Sequence, residues 1–200
     1  MTLETFLNPN TEHQERELAQ ESLWIAQARL DRQVFAGLYD RYFPRVYNYL
    51  RLRCADGPLA DDLTAQVFER ALTHLDSYDP EEGTFAAWLF GIARNALYDH
   101  LRRQRRQNWL SLGALRRDPQ PANTPEEALI QSERRLALLH ALQTLSERER
   151  DLLALKFTGE MSNRQIAGLV GLSESHVGVV VFRALGRLRA ILQSQAGKEI

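Results

Sequence analysis

Ser162-Asn163-Arg164-Gln165-Ile166-Ala167-Gly168-Leu169-Val170-Gly171-Leu172-Ser173-Glu174-Ser175-His176-Val177 is the stretch that decides the fold. Serine followed three residues later by glutamine is a capping box, so a helix starts at Asn163. Gly171 ends it, because glycine takes up the left-handed backbone that closes a helix. Ser173 then caps a second helix, along which Val177, Val180, Val181, Ala184, Leu188 and Ile191 recur on one side. A short helix, a glycine turn and a longer helix form a helix-turn-helix pattern. In such a unit the first helix braces the second, whose N-terminal residues enter a DNA major groove. Ser173, Glu174, Ser175 and His176 are small or polar, as that entry needs. An ordinary helical hairpin carries the same glycine, so the pattern alone leaves both readings open.

Working outward, Ser146-x-x-Glu149 is a second capping box, and Thr124-Pro125-Glu126-Glu127 combines a cap, a proline at the first helical position and a capping glutamate. A helix is expected from Thr124 to about Leu145. Residues 108–123 hold Gly113, Pro119 and Pro121 among polar residues, which predicts a flexible linker. Residues 124–200 thus form one domain and residues 22–107 another. Within the first, Ser22–Leu30 and Asp31–Arg53 read as helices, with Pro44 kinking or breaking the second. Leu59, Leu63, Val67, Ala71 and Leu75 form a stripe at spacing four. That predicts Asp61, Asp62, Thr64, Gln66 and Glu69 on the other faces. A turn-rich loop from Asp76 to Gly83 precedes a helix capped by Thr84 and carrying Phe85, Trp88, Leu89 and Ile92. The fold class is therefore all-α, in two small helical domains.

Charge is distributed unevenly. The formal net charge is only -1, yet Arg94 to Arg117 holds seven arginines against one acid, Asp99. Residues 1–21 form an acidic extension, with five glutamates and one arginine between Glu4 and Glu21. A phosphate senses charge within a screening length of about 10 Å, so the total conceals a basic stripe. Spacings of three, four and seven put Arg94 or Asn95 on a common side with Asp99, Arg102 and Arg106, and Arg103 lies next to them. Arginines pair with phosphates and asparagine with a base edge, while nearby Tyr78 and Trp88 offer planes for unstacked bases. A solvated basic helix end is the plainer alternative.

The single cysteine, Cys54, excludes an intrachain disulfide and a cysteine-rich zinc site. The histidines are dispersed, and neither HExxH nor GxSxG nor a phosphate-binding glycine loop occurs. No enzyme activity and no metal or organic cofactor are expected. Met1 to Glu21 has no central apolar run and no stretch of the chain approaches the apolar length needed to cross a bilayer, so neither a signal peptide nor membrane insertion is expected and the cytoplasm is the expected compartment.

From Trp24 to Leu192 the chain resembles bacterial RNA polymerase sigma factors of the extracytoplasmic-function type. Phe35-Ala36-Gly37-Leu38-Tyr39-Asp40-Arg41-Tyr42 resembles the start of conserved region 2. Asp61-Asp62-Leu63-Thr64-Ala65-Gln66-Val67-Phe68 resembles its polymerase-binding helix, and Phe85 to Asn95 with Asp99, Arg102 and Arg103 the helix that melts and reads the minus-ten element. Leu142 to Leu192 resembles region 4, which reads the minus-thirty-five element. The resemblance implies core RNA polymerase and promoter DNA, as duplex and as melted single strand, as partners, and leaves an anti-sigma factor open as another. It implies an alternative sigma factor that docks on polymerase through Asp61, Asp62, Thr64, Gln66 and Glu69. The minus-ten element would meet Tyr78, Trp88, Arg94, Asn95, Asp99, Arg102, Arg103 and Arg106. The minus-thirty-five element would meet Arg164, Ser173, Ser175, His176, Val179, Arg183 and Arg187. Two departures stand out. Ala65-Gln66 replaces the family's frequent glutamine and acid, and no lysine or arginine lies between Ser173 and Phe182. A stand-alone helix-turn-helix regulator and a sigma-like interaction module without promoter activity are the rival readings.

Overall fold

The computed structural model describes residues 9–54, 56–110 and 137–196. The expected linker and the start of the helix expected from Thr124 lie mostly outside the described residues. Helix α1 spans Pro9–Ala28, α2 Phe35–Cys54, α3 Gly57–Thr73 and α4 Phe85–Leu110, with 3-10 turns at Arg32–Val34 and Leu75–Ser77. Residues 137–143 are helical (α5), followed by α6 Glu147–Phe157, α7 Asn163–Val170 and α8 Glu174–Ala196. No strand occurs among the described residues.

Local chemistry sets these boundaries. Asp56 caps α3 through the Leu59 amide at 3.3 Å, with Pro58 in the first turn. Thr84 caps α4 through the Ala87 amide at 3.3 Å. Both expected capping boxes are present, Ser146 with Glu149 and Ser162 with Gln165. Gly171, at φ 69°, closes α7 in the left-handed region, where any other residue except asparagine or aspartate would be strained. Ser173 accepts from the His176 amide at 3.2 Å and so starts α8, which meets α7 at 106°. Pro44 stands inside α2, which runs through it to Cys54.

Helix α1 begins well before Ser22 and crosses the boundary of the expected acidic extension. Glu21 is buried, accepts from Tyr42 Oη at 2.6 Å and faces Arg41 Nε at 3.5 Å, while Glu17 pairs with Arg41 at 3.2 Å. Part of the acidic segment is therefore packed domain. Leu38, Val46, Tyr49, Leu50, Leu63, Val67, Leu89, Phe90 and Leu97 form the core of α2, α3 and α4. The second domain closes around Leu152, Leu155, Met161, Ile166, Val177 and Ala184. No single helix among the described residues is long and apolar enough to cross a membrane.

Candidate nucleic-acid interface

Helix α4 presents two faces. Trp88, Ile92, Asn95, Asp99, Arg102 and Arg106 recur at alternating spacings of four and three, which aligns them along one side. Asn95, Arg102, Arg103 and Arg106 are exposed, and Arg103 Nε donates to the Asp99 carbonyl at 3.3 Å. Arg102 lies 3.9 Å from Asp99, a contact loose enough to leave its guanidinium for another anion. At the upper end Trp88, Ile92 and Asn95 join Arg70, His74 and Ser77 around an open cleft of about 260 Å³. A half-buried indole, a primary amide and a guanidinium around one cleft can stack on a base, bond its edge and neutralise its phosphate.

Tyr78 is placed otherwise than the sequence suggested. It is buried, its ring edge-on to Phe85 at 5.4 Å and 5.6 Å from Trp88, and its hydroxyl donates to the Gly83 carbonyl at 3.1 Å. It closes the 78–84 loop and braces Trp88 instead of facing solvent.

The second face of α4, with Gly91, Arg94, Tyr98 and Arg105, points at the other domain. At its centre is Asp151 of α6, only 2% exposed. Arg94 Nε donates to Oδ2 at 2.8 Å, Tyr98 Oη to Oδ2 at 3.2 Å and Tyr49 Oη to Oδ1 at 2.7 Å. Arg53 Nε stands 3.5 Å from Oδ1. Burial, reinforced by the Asp151 charge, pushes the Tyr49 and Tyr98 hydroxyls up from their usual range, so both remain donors. Burial alone would lower Arg94, but the Asp151 hydrogen bond and charge reverse that and raise it. Arg150 beside them is lowered by burial and by the Arg53 charge. Further contacts ring this centre. Arg45 donates to the Gly159 carbonyl and faces Glu160 at 3.4 Å, Arg105 pairs with Glu147, and Gln165 Nε2 donates to Thr84 Oγ1 at 3.2 Å. The spacing argument left Arg94 and Asn95 as alternatives for the basic face. The geometry puts Asn95 there and turns Arg94 onto Asp151.

On α3, Asp61, Asp62, Ala65, Gln66 and Glu69 share an exposed side. Thr64 departs from the expectation. It is 1% exposed, follows Leu63 in the buried stripe, and its hydroxyl donates to the Ala60 carbonyl at 2.6 Å. On the helix-turn-helix, Arg164, Ser173, Ser175, His176, Val179 and Arg183 are all exposed. Arg187 is exposed too, but its guanidinium is held by Glu149 of α6. Sequence reading did not find Asp151, Tyr49, Arg53 and Tyr98. The available signal was an acid immediately before the apolar run Leu152-Leu153-Ala154-Leu155, which resembles a helix-start acid until the partner domain is in view.

Residues 38–107 match the Sigma-70 region 2 family and residues 135–188 the Sigma-70 region 4 family. SigM of Bacillus subtilis, an ECF RNA polymerase sigma factor, is 30% identical over 157 residues, covering 77% of this chain and 92% of SigM. CarQ of Myxococcus xanthus, an RNA polymerase sigma factor, is 34% identical over 79% of this chain and 88% of CarQ. BldN of Streptomyces coelicolor is 30% identical over 81% of this chain, a match that spans only 61% of BldN. In fold, the chain is similar to RpoE of Bartonella quintana, solved with the anti-sigma factor NepR, at a TM-score of 0.67 and 23% identity, covering 80% of this chain and 96% of RpoE. It is also similar to CnrH, solved with the cytosolic domain of CnrY, at 0.64 and 24%, covering 86% of this chain and 96% of CnrH. With both regions matched in order, and relatives covered nearly end to end at 30% identity or more, the chain belongs to the ECF family of RNA polymerase sigma factors.

Proposed function

We propose that this chain binds core RNA polymerase, recruits it to promoters and opens the DNA there, acting as an alternative sigma factor in the cytoplasm. One observation carries this beyond family membership. The exposed face of α4 runs from a Trp88–Asn95 cleft into Arg102 and Arg106, which suits a base leaving the stack and the backbone it leaves behind. Asp61, Asp62, Gln66 and Glu69 form the polymerase-docking side of α3. The helix-turn-helix meets upstream duplex through Ser173, Ser175, His176 and Val179, with Arg164 and Arg183 on phosphates. Arg94 and Arg187 are engaged by Asp151 and Glu149 and contribute to DNA binding only after those pairs open. An anti-sigma factor is a third proposed partner, one that would hold the chain off polymerase.

The bare recognition helix favours this reading over a stand-alone regulator, since cations meeting phosphates supply most nonspecific affinity. Run-off transcription with purified core polymerase on a genomic promoter library tests it. Transcripts that need both components are expected, and Asp62→Arg should abolish them together with polymerase pull-down. Site-specific protection of DNA by the chain alone, with no transcripts, would overturn it.

A further inference from the structure

The carboxylate of Asp151 does not balance the charge gathered around it. Arg53 reaches it from the last turn of α2 and Arg94 from α4, and Arg150, the residue before it in the first turn of α6, lies within the field of Arg53. A carboxylate offers about four acceptor positions on its two oxygens. Tyr49 and Arg53 approach Oδ1, and Arg94 and Tyr98 donate to Oδ2, so Asp151 has none left for Arg150. Glu147, the other acid acting on Arg150, is paired with Arg105 at the rim. Three guanidinium groups against one carboxylate leave an excess of two positive charges in the interface.

That excess is buried. The Arg53 side chain is 2% exposed, and neither its Nε, 3.5 Å from Oδ1, nor its Nη2 has a hydrogen-bond partner among the described residues. Arg150 Nε is buried and unpartnered in the same way. Burial, and then the Arg53 charge, lower Arg150 from the usual arginine range, which marks two like charges facing each other away from water. A buried N–H without an acceptor costs free energy, and a buried charge needs a counter-charge. The ligand that suits this pair is a small oxyanion, because its several oxygens accept from two guanidinium forks at once. Phosphate, with about two negative charges near pH 8, also matches the excess in size. Arg150 as a whole is only half-buried, so a small ion can reach the pair from the rim.

We propose that Arg53 and Arg150 form an oxyanion site that binds one inorganic phosphate between the two domains and clips α2 to α6. The site needs neither polymerase nor DNA, so it stands apart from the function proposed above.

The test uses the full chain and inorganic phosphate. Equilibrium dialysis at pH 8 should find one phosphate bound per chain. In thermal melts, phosphate at ten times its Kd should raise Tm by about 3–6 °C over sodium chloride of equal ionic strength. Arg150→Gln should lose both the bound ion and this rise, whereas Arg148→Gln, which removes an exposed arginine from the same turn, should keep both. In chloride alone Arg150→Gln should melt at or above the wild type, because it relieves the contact with Arg53, so its loss of phosphate is not a loss of fold. Three results would overturn the inference. One is a wild-type chain that binds no phosphate. Another is an equal rise in Tm for wild type and Arg150→Gln, which is the general effect of an excluded salt. The third is an Arg150→Gln chain that melts below the wild type in chloride, since Arg150 would then already be satisfied within the protein.

Discussion

Asp151 is a buried carboxylate with two tyrosine hydroxyls and two guanidinium groups around it. It is the acid on which Arg53 and Arg94 converge, so removing it leaves cations and hydroxyls buried without their acceptor. Breaking a buried pair from one side typically costs about 3–5 kcal/mol, most of it the stranded partner. Asp151→Ala is therefore expected to undock the two domains more than to unfold either one. Small-angle scattering should show a larger radius of gyration, and urea should melt the domains in separate steps. A variant with the wild-type scattering curve would show that other contacts hold the interface. Gly159 shows the same economy of space. A Cβ there would meet the Leu155 carbonyl at 2.7 Å, closer than the backbone at the end of α6 tolerates, and would press on the Phe90 ring of α4 at 3.1 Å.

At the scale of the element, α4 presents two faces, separated by rotation about its axis. The Asn95 face and the Arg94 face are adjacent in sequence and point differently, which makes their contributions separable. Arg102→Ala with Arg103→Ala should weaken holoenzyme binding to every promoter and flatten its dependence on log salt by up to about two, since each lost phosphate contact retains roughly one counterion. Asn95→Ala should leave that slope intact and impair opening in a way that depends on the minus-ten sequence. Equal impairment across all minus-ten sequences would remove Asn95 from base recognition. The helix itself was legible in the sequence, because Thr84, the aromatic run and the arginines are local signals. The same is true of both capping boxes and of the Gly171 turn, whose chemistry lies within four residues. Thr64, Tyr78 and the choice between Arg94 and Asn95 were not legible. Each depends on what packs against it, and periodicity places a residue on a helix without saying which neighbour covers it. Thr64 reads as polar and outward, yet one backbone hydrogen bond lets it sit in the core.

Across the whole molecule, the two domains share an interface between α2 and α4 on one side and α6 and α7 on the other, and composition gave no hint of it. Its hydroxyls make it alkali-sensitive. Tyr49 keeps its proton in the folded chain well above the value near 10 at which it ionises when unfolded. Stability from this group is thus fully present below pH 10 and is lost as pH rises through the folded value, at about 1.4 kcal/mol per pH unit. Tyr42, Tyr78, Tyr98 and Cys54, the last pushed up to about 11 by burial, act in the same direction. Tyr49→Phe should therefore be less stable at pH 8 but lose stability more slowly toward pH 11, by about one proton's worth of slope. Parallel pH profiles would contradict the assignment.

The docked arrangement engages Arg94 but leaves the Asn95 face exposed, as the proposed role in strand opening requires. Permanganate footprinting of a promoter recovered in the run-off screen tests that central claim most directly, because it detects unpaired thymines where they form. Reactive thymines should appear in the minus-ten region only when core polymerase and this chain are both present, and should fade with Asn95→Ala while polymerase remains bound. Reactivity that needs only one of the two components, or none with both on a promoter that is bound, would contradict the account.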